Sequence, residues 1–480
     1  MIRTRFAPSP TGFMHLGNLR TALYAYLVAK KEQGTFILRI EDTDQNRLVK
    51  GALDFILNAL QIVGINYDEG PEKEGEYGPY VQTLRKEIYI AYAKELIQKK
   101  GAYYCFCKKG DEVETEDGGT GAPHRCNCHT LTTNEVNDNI ANRQWVIRQI
   151  IPTGFTTFND IVYGEITVQN EELENQILIK TDGLPTYNFA NVIDDYLMKI
   201  THVIRGSEYL SSTPKYNLLY NAFGWEVPNY IHLPLILNEN KEKLSKRRGD
   251  ANFNDLLQQG YLPQAIINYI ALLGWSPNNN EEIFTLNELV QIFDTSGISK
   301  SPSVFDITKL TWFNTEYIKK MDKTTYYELA LPYLRKSITR DINIQKICEY
   351  TQSRVSFIHE ICDLVDFIDE LPNYSTSLYL HKKMKTTKEG SLQVLNNILP
   401  ILSDVQHFNY ESLHNVILNE ITRTQVKSSL VLWPIRTALT GKPTSFCGAI
   451  ELLELLQKEE CIKRINIAIQ KLGGEINGYN

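Results

Sequence analysis

The run Ile2-Arg3-Thr4-Arg5-Phe6, followed by Pro8-Ser9-Pro10-Thr11-Gly12-Phe13-Met14-His15-Leu16-Gly17-Asn18, decides the reading of the fold. Ile2 to Phe6 is a short strand candidate that Pro8 and Pro10 break. From Leu19 to Lys30 apolar residues recur at helical spacing (Leu19, Leu23, Tyr26, Leu27), with Asn18 placed as the N-cap. Gly34 closes that helix, and Thr35 to Ile40 reads as a buried apolar strand. A strand-turn-helix-strand unit of this kind predicts a parallel pair with a right-handed crossover. The turn then lies at the carboxyl end of a parallel strand, where open α/β sheets bind ligands. Gly12 and Gly17 let backbone approach a bulky anion, the helix start carries positive potential, and His15 can donate to a phosphate oxygen.

Further along, strand-like runs recur at Trp145–Ile151, Gln176–Lys180, His202–Arg205 and Ile231–Leu237. They are separated by an irregular, glycine-rich and acidic stretch around residues 105–130. This pattern predicts one nucleotide-binding domain interrupted by an insertion. Beyond about residue 250 helical periodicity dominates, as in Leu262–Leu273 and Ile344–Ile368, with a loop at Trp275-Ser276-Pro277.

A second cluster, Lys241-Glu242-Lys243-Leu244-Ser245-Lys246-Arg247-Arg248-Gly249, follows the strand candidate that ends at Leu237. Most basic runs are solvated surface. In a loop beside a nucleotide site, however, a lysine can swing onto the negative charge that develops on a phosphate.

The bulk numbers set the class. At 480 residues, with 42% hydrophobic and 22% charged residues, the chain is that of a globular protein of several domains. Without an apolar run of roughly 20 residues or a signal-peptide core, a cytoplasmic, non-membrane protein is expected. The net charge of −7 counts mildly against a nucleic-acid partner, although a basic groove can sit on an acidic body. Four of the eight cysteines crowd into two C-x-C pairs, Cys105/Cys107 and Cys126/Cys128. In a cytosolic protein that clustering points to metal, and four thiolates suit a closed, structural zinc site. Cys128 is the expected fourth ligand, with His129 as the alternative and His124 also nearby.

The two clusters, in this order and on either side of an insertion, resemble the HIGH and KMSKS signatures of class I aminoacyl-tRNA synthetases. They match at His15-Leu16-Gly17-Asn18 and Lys243-Leu244-Ser245-Lys246-Arg247, with Asn18 where a second histidine is usual. Arg5 to Gly12, Arg20-Thr21-Ala22-Leu23, Arg39 to Asp44, Leu184 to Ala190, Ile204 to Glu208 and Pro434 to Gly441 resemble the glutamyl-tRNA synthetase forms. The resemblance runs from residue 3 to about residue 441.

The resemblance implies an α/β fold: a Rossmann-like parallel-sheet catalytic domain with an inserted domain, then an all-α C-terminal anticodon-binding region. It divides the chain into 1–100 and 191–250 (the two halves of the catalytic domain), 101–190 (an inserted acceptor-stem domain with the zinc site), 251–325 (stem-contact helices) and 326–480 (anticodon binding). It implies L-glutamate, ATP with Mg²⁺, and tRNA(Glu) as partners of a monomer. His15, Lys243 and Lys246 would stabilise the reacting phosphates, with His15, Gly17, Glu208 and Lys246 on ATP. Glutamate carries one ammonium and two carboxylates, so its pocket needs an acid and at least one arginine. Glu41 with Ser9 would take the ammonium; Arg5, Tyr187, Asn191 and Arg205 would share the carboxylates. Glutaminyl relatives lack an arginine at the position of Arg205 and carry a β-rich C-terminal half. Glutamyl-queuosine-tRNA synthetases share the catalytic motifs but end near residue 300. A small-cofactor nucleotidyltransferase would not need the helical extension, and a non-catalytic tRNA binder would not need an intact Glu41, Arg205 and Lys246. Arg354, Lys427, Arg436 and Lys442 are basic residues of the C-terminal half that could meet tRNA phosphates.

Overall fold

The computed structural model describes residues 1–12, 14–107, 126–244 and 252–477. The chain forms two compact units, Met1–Phe313 and Asn314–Asn480. In the first unit β1 (Arg3–Phe6) pairs parallel with β2 (Thr35–Leu38), Arg3 opposite Thr35, and α1 (Leu16–Lys31) crosses between them. The expected parallel pair is therefore present. The helix starts earlier than the periodicity predicts: His15, not Asn18, is its N-cap residue, and the His15 carbonyl accepts the Leu19 N–H. Leu16 is buried with Leu19, and covering both draws the preceding turn into the helix. Gly34 is also needed for another reason than the one expected. Gln33, at φ 51°, takes the left-handed position, while a Cβ on Gly34 would run into the Ile2 carbonyl.

After β2 the chain stays extended. Arg39 N–H donates to Phe6 O (3.0 Å), and Glu41 N–H to Pro8 O (3.0 Å), which sets Glu41 beside the loop that follows β1. Helices α2 (Ala52–Ile62) and α3 (Lys86–Gln98) lead to β3 (Ala102–Cys105). Helix α4 (Thr133–Asn142) opens with a capping box, Thr132 against Glu135. Strand β3 pairs antiparallel with β4 (Val146–Gln149), which pairs with β7 (Ile177–Ile179), so two of the predicted strands form a three-stranded sheet of their own.

The hairpin of β5 (Phe155–Asp160) and β6 (Gly164–Gln169) is not among the expected strands; in β5 Phe155 is exposed while Thr156 and Asp160 are buried, so its pattern does not read as a strand face. Although it lies inside the 101–190 segment, it joins the catalytic sheet in the order β6-β5-β9-β8. There β8 (His202–Gly206) and β9 (Asn229–Leu233) run parallel, His202 opposite Asn229. Strand β1 lies alongside β8, where Thr201 N–H donates to Arg3 O (3.0 Å). Helices α5 (Tyr187–Leu197) and α6 (Thr213–Phe223) pack Phe189, Ile193, Tyr216 and Leu219 against Tyr89, Leu96 and Leu178. That core holds the α5 N-terminus rigid at the sheet edge. The predicted Ile231–Leu237 strand is split by Pro234, with β10 (Ile236–Leu237) pairing with Ser303–Val304.

The second unit is helical, with long helices at Lys323–Ser337, Lys388–Asp404, Tyr410–Thr424 and Ser428–Thr440, and a helical stretch Ala449–Asn477 that a non-helical Gln457 (φ 64°) divides in two. Among its described residues the only β pairing is an isolated bridge between His381 and Thr386.

Candidate active site

A cleft of ≈ 890 Å³ opens at the carboxyl ends of β1, β8 and β9 and at the start of α1. It is of the size that holds a nucleotide with a small co-substrate. Arg5, Ser9, His15, Gly17, Glu41, Tyr187, Arg205, Glu208 and Lys243 all line it, although they are scattered over some 240 positions of sequence. Asn191 does not. It is buried one helical turn behind Tyr187, its Nδ2 donating to the Tyr187 carbonyl (3.0 Å), and so supports the wall from behind. Lys246 lies outside the described residues.

The floor of the cleft is a buried ion network. Arg39, fully buried, donates to Glu41 Oε1 (2.9 Å) and to Asp195 Oδ1 (2.7 Å). Arg5 grips Asp195 with Nε (3.0 Å) and Nη2 (3.2 Å), and its Nη1 donates to the Ile204 carbonyl. Burial alone would raise Asp195, yet Arg5 and Arg39 hold it below the usual carboxylate range. Asp194 faces the other way and accepts from Arg85 (2.7 Å), Gln82 and Tyr89. Reading by residue assigned roles to Arg5 and Glu41 but missed Arg39 and Asp195, the residues that hold them. The signal was available: Asp194-Asp195, directly after the largely apolar run Phe189–Ile193, cannot be buried without cationic partners.

Two groups on this floor are left incomplete, and on α1 the Nε of the cleft-lining Arg20 also has no hydrogen-bond partner. Glu41 is 3% exposed, and its Oε2 has no hydrogen-bond partner. Loss of water pushes its carboxyl up to about 7, against the pull of Arg39 and Arg5. Arg205 is 5% exposed and, among the described residues, makes no ion pair. Its Nε donates to His232 Nε2 (3.3 Å) and its Nη2 to Thr213 Oγ1 (3.2 Å), and the rings of Tyr216, Tyr230 and Tyr209 lie 4.6, 5.5 and 5.3 Å from its Cζ. Burial, with Glu41 nearby, keeps the Tyr187 phenol well above its ordinary value, so it remains a neutral hydroxyl. An incomplete acid and an incomplete base in one cleft suit a zwitterion with an additional carboxylate.

The opposite end of the cleft is more open. His15 stands at the N-terminus of α1, and a Cβ added at Gly17 would meet no atom within 4 Å, so backbone amides there face free space. Lys243 Nζ donates to Glu208 Oε1 (3.1 Å), and both side chains are exposed. An exposed pair of this kind is weakly held and free to exchange partners.

The four clustered cysteines meet away from the cleft. Their Sγ atoms all lie within 4.8 Å of one another, with Cys105–Cys126 and Cys107–Cys128 each at 3.7 Å. Tetrahedral zinc with Zn–S near 2.3 Å requires sulfur–sulfur edges of about 3.8 Å. His129 turns aside, its Nδ1 against the Cys126 carbonyl (2.8 Å), so Cys128 is the fourth member of the cluster. His124 lies outside the described residues.

Residues 1–312 match the family model of tRNA synthetases class I (E and Q), catalytic domain, and residues 325–469 that of an anticodon binding domain. A glutamate–tRNA ligase of Clostridium tetani is 55% identical over 482 residues, with 99% of each chain covered. The chain belongs to the class I glutamate–tRNA ligases. Another such ligase, from Clostridium botulinum (strain Eklund 17B), is 54% identical over 98% of this chain and 99% of its own. Among solved structures, a glutamate tRNA ligase from Elizabethkingia meningosepticum in complex with its amino acid has a TM-score of 0.89 at 34% identity, covering 98% of this chain and 99% of that one. Membership in the glutamate–tRNA ligases accords with a helical second unit, where a glutaminyl enzyme was expected to be β-rich. Of the basic residues in that unit, Arg354 and Lys427 are exposed. Arg436 instead stacks on Trp433 (4.2 Å) and donates to Pro443 O, and Lys442 is tied to Asp363 O and Asp366. No described helix is long and apolar enough to cross a membrane.

Proposed function

We propose that the chain activates L-glutamate with ATP and transfers it to the 3′-terminal adenosine of tRNA(Glu), and that Glu41 and Arg205 read the two ends of the amino acid. The observation that carries this reading is the pair of incomplete groups on the cleft floor: Glu41 Oε2 without a donor and Arg205 without a carboxylate. Glu41, with Ser9 at its side, takes the α-ammonium. Arg205 takes the side-chain carboxylate in a planar, two-point contact that lysine could not supply. The Tyr187 hydroxyl and the spare Nη protons of Arg5 hold the α-carboxylate. Asn191 contributes by fixing the backbone of Tyr187 rather than by touching substrate.

With the amino acid anchored, its α-carboxylate oxygen attacks the α-phosphorus of ATP and pyrophosphate leaves. The 2′-hydroxyl of the terminal adenosine then attacks the activated carbonyl, and AMP leaves. No covalent bond to the protein forms, so catalysis is positioning together with charge stabilisation. His15 donates to a phosphate oxygen, Gly17 leaves room for the phosphate at the start of α1, and Glu208 takes a ribose hydroxyl once Lys243 moves to the phosphates with Lys246. Mg²⁺ bound to the triphosphate would offset part of its charge. Cys105, Cys107, Cys126 and Cys128 hold a structural zinc that braces the inserted segment. Residues 1–100 and 191–250 carry the chemistry together with Tyr187 and the β5–β6 hairpin, the rest of 101–190 takes the acceptor end, 251–325 the stem and 326–480 the anticodon. The protein works as a cytoplasmic monomer.

ATP–pyrophosphate exchange, run with and without tRNA, tests the reading. Exchange is expected with glutamate, in the presence of tRNA; equal exchange with glutamine would overturn it. Metal analysis of the purified chain is expected to give one zinc per molecule, lost in Cys126→Ser. Only a trace of zinc in the unaltered chain would remove the metal site.

A further inference from the structure

Of the arginines assigned to the amino acid above, Arg5 is already paired with Asp195, so Arg205 is the one left to tell a carboxylate from an amide at the end of the substrate side chain, if the reading above is right. The question is what sets Arg205. Proton bookkeeping answers it. A guanidinium only donates, so the nitrogen that receives Arg205 Nε–H, His232 Nε2 at 3.3 Å, must carry a lone pair. The Thr213 hydroxyl also lies 3.2 Å from that nitrogen, but its one proton goes to Tyr209 O (2.9 Å) while its oxygen accepts from Arg205 Nη2, so Arg205 is the donor that Nε2 receives. The ring proton of His232 is therefore on Nδ1, which faces Asp160 Oδ2 at 2.7 Å. Asp160 is in turn locked as an acceptor. Its Oδ2 also takes the His232 N–H (3.1 Å), and its Oδ1 takes the N–H groups of Val162 (2.9 Å) and Tyr163 (2.8 Å). All of this is buried; Asp160 and His232 are 1% and 0% exposed.

The chemistry of the anchor matters as much as its position. Every group that holds Arg205 is neutral: an imidazole nitrogen, a hydroxyl and three aromatic faces. Arg5, a few ångströms of backbone away in the same wall, is held instead by the Asp195 carboxylate. A carboxylate partner would fix Arg205 equally well but would cancel the charge that a substrate carboxylate must find. A neutral acceptor fixes the fork and leaves the charge intact, in a site where burial makes that charge count. Burial, and the Arg205 charge, keep the imidazole below its ordinary range, against the pull of Asp160, so the anchor stays neutral.

We propose that His232, held in its Nδ1–H form by Asp160, is the positioning residue that aims Arg205 and thereby sets the preference for glutamate over glutamine. It touches no substrate atom itself and works only through the guanidinium.

Two substitutions separate its two nitrogens. In His232→Asn the amide can replace Nδ1 and keep the contact to Asp160, but nothing reaches Arg205. In His232→Gln the terminal amide oxygen can reach the place of Nε2 and accept Nε–H. In ATP–pyrophosphate exchange with tRNA present, His232→Asn is expected to raise the KM for glutamate about tenfold, with little change in kcat, and to erode the glutamate preference by a similar factor. His232→Gln is expected to stay within about threefold of the unaltered chain. Arg205→Gln is measured alongside, and His232→Asn added to it should raise KM no further. Loss of glutamate binding in Arg205→Gln, with both His232 variants unaffected, would overturn the proposal and leave the Arg205 reading standing. An unaffected Arg205→Gln would overturn both. A fall in kcat alone, equal in both His232 variants, would mean a merely structural histidine and would also overturn it. Should the variants fold poorly, nitrogen-15 spectra of the unaltered protein decide: Nδ1 protonated and Nε2 bare is the expected form, and the Nε2–H tautomer would overturn the proposal.

Discussion

Arg205 in the catalytic unit and Arg464 in the helical unit are both buried guanidiniums, and they meet the cost of burial in opposite ways. Arg464, at 0% exposure, donates to three backbone carbonyls, Phe367 (2.8 Å), Leu439 (2.6 Å) and Ile368 (2.8 Å), and pairs with Glu460 (2.7 Å). Its charge and nearly all of its protons are spent within the fold, where it ties three chain segments together. Arg205 has two neutral hydrogen-bond acceptors and, among the described residues, no counter-ion. Burial alone therefore says nothing about function. What separates a structural charge from a binding one is whether the fold itself completes it.

Mutation at each arginine should move a different observable. Arg464→Met leaves three carbonyls and Glu460 short of a donor and should lower stability by about 3–5 kcal/mol, read by chemical unfolding. Glutamate affinity, read by calorimetry on the folded protein, should not change; a matching loss would mean that Arg464 is not purely structural. Arg205→Gln should do the reverse. It removes a buried cation that lacks a partner, so unfolding should shift little or toward greater stability, while glutamate affinity falls by roughly a hundredfold. A large loss of stability would place Arg205 with Arg464.

The third expectation concerns Glu41, the other incomplete group. With its carboxyl pushed up to about 7, the empty site is protonated below that pH and ionised above it. The ammonium needs the ionised form, so binding must release a proton at low pH. Glutamate affinity should be flat above about pH 7 and fall about tenfold per pH unit below it. In Glu41→Gln the affinity should be low throughout and the pH dependence absent. A titration in which the unaltered chain shows no bend near neutrality would remove Glu41 as the ammonium receiver.

How much of this was legible in the sequence follows the same division. The β1–α1–β2 unit could be read because Leu19, Leu23 and Leu27 carry helical spacing between an arginine-flanked strand and an apolar one. The lining residues of the cleft were legible through motifs. The residues that hold them were not. Asp195 meets Arg5 across 190 positions of chain and Arg39 across 156, and such distances leave no local pattern. His232 sits in a strand as an ordinary alternating residue, and only the fold brings Asp160 to it. The β5–β6 hairpin escaped for a related reason: β5 buries Thr156 and Asp160 and exposes Phe155, against the usual pattern, and its place in the catalytic sheet is settled by pairing with β9, far along the chain. The cysteine cluster is the opposite case: the two C-x-C pairs mark the group in sequence, and the fold decides for Cys128 over His129 as its fourth member.

The most direct measurement of the central claim is a competition. Glutamate and glutamine are offered together at equal concentration with ATP and tRNA(Glu), and the amino acid released from the charged tRNA is identified by mass spectrometry. A glutamyl ester alone is the predicted product, with Arg205→Gln losing most of the charging. Glutaminyl-tRNA in comparable amount from the unaltered chain would contradict the account.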